Sequence, residues 1–122
     1  MNDFAPGSTG DVLHRFNQAF LDHTPEVLPA LIADRCRIER IQATAEGEWI
    51  EGGAACRALW QAQAADRGGQ FRLEGTTVLG DVGLVFWTYA HGPGLSQHSR
   101  GLNVMRVQNG QVVEGRGYAK KA

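Results

Sequence analysis

The clearest chemical handle in this chain is Asn103, a lone amide inside the apolar alternation Leu102-Asn103-Val104-Met105. Burying an amide without partners costs roughly 1 to 3 kcal/mol, so this position demands a hydrogen-bond partner: a ligand, a water or Trp60. Ligand contact and a structural hydrogen bond both remain open. Arg40, at the end of a short alternating segment, carries a guanidinium that can hold a carboxylate or enolate oxygen, or pair at the surface with Glu39 or Glu51. His23 continues the stripe of Phe16 and Phe20 at a helix end, where an imidazole caps carbonyls or acts as a base near neutral pH. With Glu39 it makes up the weak candidates for a catalytic base. Cys36 would be a nucleophile only beside a cation or helix terminus that lowers its pKa, and the sequence shows neither, so it reads as a small buried hydrophobe. His14, His91 and His98 have no acidic or thiol partner at a recognisable spacing and read as exposed.

Several classes of chemistry are excluded by composition. Cys36 and Cys56 form no CxxC spacing and have no paired histidines, so no metal site, redox pair or cofactor is expected. Twelve Lys plus Arg against thirteen Asp plus Glu leave a net charge of -1 with no basic stripe, which removes the footprint of a nucleic-acid binder. No apolar run approaches the roughly 20 residues of a membrane span, and no signal-peptide layout is seen, so a cytoplasmic protein with no membrane partner is expected.

The elements that must position these groups follow from periodicity. Residues 1 to 10, with Pro6, Gly7, Ser8 and Gly10, read as a flexible leader, residues 11 to 119 as a single domain, and residues 120 to 122 as a tail. Leu13, Phe16 and Phe20 define one face of a helix ending near His23. Thr24-Pro25 opens a second helix with Val27, Leu28, Leu31 and Ile32 as its stripe, although Pro29 should bend it or delay its start. A short strand carries Cys36, Ile38 and Arg40 on one face, and Glu46 to Ile50 is a candidate second strand. Gly52-Gly53 precedes a third helix marked by Cys56, Leu59, Trp60 and Gln63, which Gly68-Gly69 ends. Four strands follow, at about 70 to 79, 82 to 91, 97 to 108 and 111 to 119. Gly80-Asp81, Gly92-Pro93-Gly94 and Asn109-Gly110 turn them into an antiparallel meander.

The strand 82 to 91 is apolar on both parities: Leu84, Phe86 and Ala90 on one, Val85, Trp87 and Tyr89 on the other. A sheet face turned away from the helices then needs a cover. A second copy is the economical one, which predicts a homodimer through the outer sheet face with Trp87, Tyr89, Leu102 and Val104 at its centre.

This order of elements resembles the NTF2-like superfamily, in its SnoaL-like and ketosteroid-isomerase-like branch. The marks are Leu31-Ile32-Ala33-Asp34 through Ile38-Glu39, Gly52 to Trp60, and Gly101-Leu102-Asn103-Val104-Met105-Arg106-Val107 followed by Gly110-Gln111-Val112-Val113-Glu114 and Tyr118. The resemblance implies an α+β, cone-shaped fold with three N-terminal helices packed on a curved, mainly antiparallel sheet. It further implies a pocket lined by Phe16, Phe20, Ile32, Ile38, Arg40, Leu59, Trp60, Phe86, Thr88, Asn103, Met105 and Gly115.

The same resemblance bears on activity. Where ketosteroid isomerases carry an aspartate base, a tyrosine and a protonated acid, the corresponding positions here hold Arg40, Phe16 and Asn103. A donor without a proton acceptor does not run that reaction. Polyketide cyclases of the SnoaL kind need a pocket carboxylate, and limonene-type epoxide hydrolases an acid where this chain has Gly117. The expectation is therefore a SnoaL-like protein that binds a small, mainly apolar molecule with a carbonyl or anionic end. The alternatives are an isomerase, cyclase or dehydratase with a non-standard acid-base group, and a non-catalytic dimerisation module.

Overall fold

A computed structural model describes residues 4–41 and 47–121. Helix α1 (Thr9–Asp22) begins inside the expected leader, because the Ser8 side chain accepts from the backbone N–H of Asp11 and serves as its N-cap. It ends at His23, which adopts the left-handed conformation at φ 55° and donates its backbone N–H to Ala19. Its inward stripe is Val12, Leu13, Phe16, Ala19 and Phe20.

The expected second α-helix is instead two 3-10 turns, Pro25–Val27 and Pro29–Leu31. Pro29 lacks the N–H that an α-helix would need there, and the chain settles for i→i+3 bonds from Leu28 to Pro25 and from Leu31 to Leu28. Ile32 correspondingly leaves the helical stripe and opens β1 (Ile32–Glu39). The segment is tied to its surroundings by Arg57, which donates to the Pro29 and Ile32 carbonyls and to the Asp34 carboxylate. Strand β2 (Trp49–Glu51) pairs antiparallel with β1; part of the 46 to 50 candidate lies outside the described residues. Helix α2 (Gly53–Ala65) buries Cys56, Trp60 and Ala64, spaced four apart on one face. Its start lies so close to β1 that a Cβ on Gly53 would stand 2.7 Å from the Asp34 Cα.

The meander is β3 (Gln70–Leu79), β4 (Val82–His91), β5 (Gln97–Gln108) and β6 (Gln111–Lys121), with a further 3-10 turn at Pro93–Leu95. The sheet order is β2-β1-β6-β5-β4-β3, antiparallel throughout except for the parallel pair β1 and β6. Register shifts between Leu73 and Gly75, between Arg106 and Val107, and between Ile32 and Arg37 mark irregularities of the kind that bend a sheet. The curved sheet, α1, the paired 3-10 turns and α2 together enclose one core, in which Leu13, Leu28, Ile32, Cys36, Cys56, Val85, Met105 and Val112 are fully buried.

The facing of β4 differs from the expectation. Val85 and Trp87 point inward and Tyr89 lines the same side, whereas Phe86 is 40% exposed on the outer face and Thr88 shares that parity. The physical reason lies in the pairing: β4 and β5 close through His91 and Gln97, so residues of like parity face one another and Asn103 sits opposite Val85. Trp87 and Tyr89 are therefore not part of an outer dimer surface, while Leu102 and Val104 do lie on the outer face, beside Leu84 and Phe86. No helix among the described residues is long and apolar enough to cross a membrane.

Candidate functional site

Between α1, α2 and the concave sheet face lies a cavity of ≈ 730 Å³, within the range that holds small organic ligands. Of the residues expected to line it, Phe16, Phe20, Ile38, Arg40, Leu59, Trp60, Asn103, Met105 and Gly115 do so. Three do not. Ile32 is buried in the core behind the wall, and Phe86 and Thr88 stand on the other side of the sheet.

The cavity wall is largely a run of aromatic rings. Trp60 meets Phe16 edge-on at 4.9 Å between centroids, Phe16 meets Phe20 at 5.2 Å, Phe20 meets Phe71 at 6.2 Å and Phe71 meets Trp87 at 6.3 Å. Rings at these distances and tilts attract one another beyond their area of contact, which makes the wall firm. Glycines on β5 and β6 provide the space. A Cβ on Gly115 would stand 2.8 Å from the Trp60 ring, and one on Gly101 would stand 2.6 Å from Trp87.

Asn103 gains its partner through this packing. The indole of Trp87, seated over Gly101, donates its Nε1–H to Asn103 Oδ1 at 3.2 Å. The partner is thus Trp87, not Trp60. Indole nitrogen is only a donor, so the bond fixes which end of the amide is oxygen and leaves the Nδ2 hydrogens for the cavity. A second amide belongs to the site, and it is more deeply buried than the partly buried Asn103. Asn17, 5% exposed, lines the cavity from α1 on the stripe of Leu13, Phe16 and Phe20, and the same signal that singles out Asn103, a polar residue on an apolar stripe, marks it in the sequence.

The ionisable groups gather toward the mouth. His23 Nδ1 lies 2.9 Å from the Ala64 carbonyl, and because a carbonyl only accepts, Nδ1 carries the proton and Nε2 is left free. Helix capping by the His23 backbone and cavity lining by its ring coexist. Arg40 pairs with Glu48 at 3.3 Å rather than with Glu39 or Glu51, and both side chains are about half exposed, so the pair contributes little to stability. Glu39 lines the mouth as well, with Asp66, Tyr89, His91 and His98. Tyr89 stacks on His91 at 5.3 Å, and burial, reinforced by the charge of Asp66, pushes its phenol above the ordinary range. The residues of β4, β5 and β6 that line the cavity include no Asp or Glu. Cys36 and Cys56 are both buried, and burial above all drives the Cys36 thiol far up, which leaves it protonated and unreactive. Among the described residues no group of three His, Cys, Asp or Glu is placed to hold a metal ion.

Residues 13–115 match the model of the SnoaL-like domain. An NTF2-like protein of unknown function from Mesorhizobium loti is 39% identical, with 98% of this chain and 97% of that one covered and a TM-score of 0.85. An NTF2-like protein of unknown function from Burkholderia xenovorans (17% identity, 93% and 84% covered, TM-score 0.76) and an LEH-like epoxide hydrolase from M. tuberculosis (18%, 89% and 80%, TM-score 0.69) share the fold. No curated protein matches. A buried aromatic cone between two helices and a curved six-stranded sheet, together with these matches, makes the chain a member of the SnoaL-like family of NTF2-like proteins.

Proposed function

We propose that this protein binds a small, mainly apolar molecule, presenting a carbonyl or an anionic end, in the cavity between its helices and its sheet. The observation that carries the reading is the Trp87 bond to Asn103 Oδ1, because it presets the amide as a donor inside an aromatic wall. A ligand acceptor would satisfy Nδ2, while the rings supply the apolar contact. Arg40 at the mouth can exchange its exposed Glu48 partner for a ligand anion.

The probe that suits this site is 8-anilinonaphthalene-1-sulfonate, an aromatic body with an anionic end. The folded protein should bind it saturably at one site per chain. Asn103→Leu should weaken that binding about tenfold, the worth of one hydrogen bond to a charged acceptor, in a protein that still folds but melts somewhat lower because the Trp87 Nε1–H loses its acceptor. Equal affinity in the two proteins would refute the assignment. Native mass spectrometry of the freshly purified protein then identifies any natural ligand carried along.

A second reading, proton-transfer catalysis on such a ligand, is favoured by one observation: His23 lines the cavity with Nδ1 directed at the Ala64 carbonyl, so that in the neutral ring Nε2 is the nitrogen with the lone pair that a general base requires. On that reading His23→Gln abolishes turnover of the natural ligand while the probe still binds. The expected dimer also belongs to the proposal, with Leu84, Phe86, Leu102 and Val104 now its centre.

A further inference from the structure

On the opposite side of the sheet from the cavity, β1, β6 and β5 form a cleft of ≈ 420 Å³ lined by Arg35, Arg37, Arg106, Arg116, Gln108, Val113 and Glu114. Pairing places them together: Glu114 lies between Arg37 on one neighbouring strand and Arg106 on the other. The lining therefore carries four guanidiniums against one carboxylate. Glu114 is spoken for. Arg37 donates to its Oε2 through Nε at 2.8 Å and Nη2 at 2.7 Å, and Arg116 Nε stands 3.3 Å from Oε1.

The remaining arginines are not neutralised to the same degree. Arg35 donates to the neutral amide oxygen of Gln108, and Arg106 reaches Asp81 only at 3.9 Å, both ends about half exposed. Arg116 is better engaged: its side chain hydrogen-bonds Tyr118 and feels the charges of Glu114 and Glu39, but its buried Nε, 3.3 Å from Glu114 outside hydrogen-bond geometry, has no hydrogen-bond partner. Two of the four guanidiniums are also held in place by an aromatic ring. Trp49 stands 4.3 Å from Arg37 and 5.1 Å from Arg116, centroid to guanidinium carbon, so both are stacked before anything binds. Fixed arginine forks with excess positive charge are the chemistry that recognises phosphate oxygens.

We propose that this cleft is a binding site for a compact phosphate group, held by Arg35, Arg106 and Arg116 and oriented by the Arg37–Glu114 pair. The volume exceeds that of inorganic phosphate alone, so the natural ligand would be free phosphate with water or a small phosphate monoester. The cleft opens on the other face of the sheet, Arg116 being the one residue that lines both it and the aromatic cavity, and the proposal stands whether or not that cavity takes the ligand described above.

The test is a titration of isotope-labelled protein at pH 7.5 with sodium phosphate and, in a second arm, glycerol 3-phosphate, each against sodium chloride at matched ionic strength. Saturable shifts of the Arg35, Arg37, Arg106 and Arg116 amides, absent with chloride, are expected, and the arm with the tighter binding distinguishes ester from free ion. The double variant Arg35→Gln, Arg106→Gln should weaken binding at least tenfold. It leaves the Arg37–Glu114 pair in place, and an unchanged amide spectrum elsewhere verifies its fold. Shifts that chloride reproduces, or equal affinity in the double variant, overturn the proposal. So does a change of oligomeric state in the double variant with no saturable phosphate shifts in the parent, which would assign the cleft to contact between two copies.

Discussion

Trp87 and Phe86 are adjacent aromatic residues on one strand, yet one is 5% exposed in the cavity wall and the other 40% exposed on the outer face. The same division runs through β5, where Asn103 and Met105 face the cavity and Leu102 and Val104 face away. Side chains alternate strictly along a strand, so a shift of one residue exchanges the whole set. What distinguishes the two faces is the packing opposite them. The inner face meets rings at centroid distances of 4.9 to 6.3 Å and two amides, Asn17 buried and Asn103 partly so, whereas the outer face carries partly exposed apolar side chains next to a cluster of arginines. Apolar character alone does not say which face is the interior.

Substitution at the inner face should therefore be felt most. Trp60 is 6% exposed, touches Phe16 edge-on and lies against Gly115, so Trp60→Ala should remove about 3 to 5 kcal/mol of stability and lower the urea midpoint accordingly. A loss below about 1 kcal/mol would mean that the wall is not packed as described. The core behind it gives a pH signature. The Cys36 thiol, 0% exposed, is held protonated in the folded chain, whereas an unfolded thiol ionises near its ordinary value of 9.0. An acid whose folded pKa is raised contributes no pH dependence while both states are protonated. Above pH 9 the unfolded chain alone releases the proton, so stability falls by about 1.4 kcal/mol per pH unit for this group. Cys56 is shifted in the same direction. Denaturation at pH 8 and pH 10 should show the loss, and Cys36→Ala should make it shallower, the remainder being due to Cys56; an equally steep curve in the variant would assign it elsewhere.

Much of this organisation is legible in the residues. The limits of β3, β4 and β5 follow from turn glycines and alternation, and the Asn109-Gly110 turn fixes the closing hairpin. The facing of β4 is harder because both parities are apolar and five residues separate it from β5, so no tight turn dictates the register. The strand limits still carried it: with His91 opposite Gln97, like parity pairs with like, and an inward Asn103 places Val85 and Trp87 inward. The two proline-led 3-10 turns were hidden by an apolar stripe that suits either helix, and Pro29 was the sign of the difference. The outer arginines are invisible as a cluster, since Arg35 and Arg37 meet Arg106 and Arg116 only through the parallel pairing of β1 with β6.

The orientation of Asn103 is a finer property of the inner face. Trp87→Phe keeps an aromatic ring over Gly101 but removes the Nε1–H that holds Oδ1, so the amide becomes free to rotate. Affinity for the anilinonaphthalene probe should fall by about fivefold, near 1 kcal/mol, with little change in melting temperature. An undiminished affinity would show that the ligand, and not Trp87, sets the amide.

The smallest effect belongs to the outer face, and its size discriminates between covered and open. Phe86 is 40% exposed within one chain, and surface substitutions away from packed groups change stability by about 0.5 kcal/mol or less. At low protein concentration Phe86→Ser should therefore unfold almost where the parent does. If a second copy covers Leu84, Phe86, Leu102 and Val104, the parent's melting temperature will rise with protein concentration, because association stabilises by mass action, and the variant's will not. Sedimentation at micromolar concentration supplies the independent reading: a dimeric parent and a monomeric variant support the covered face. Two monomers with superimposable melting curves would remove the dimer and leave the outer face to solvent.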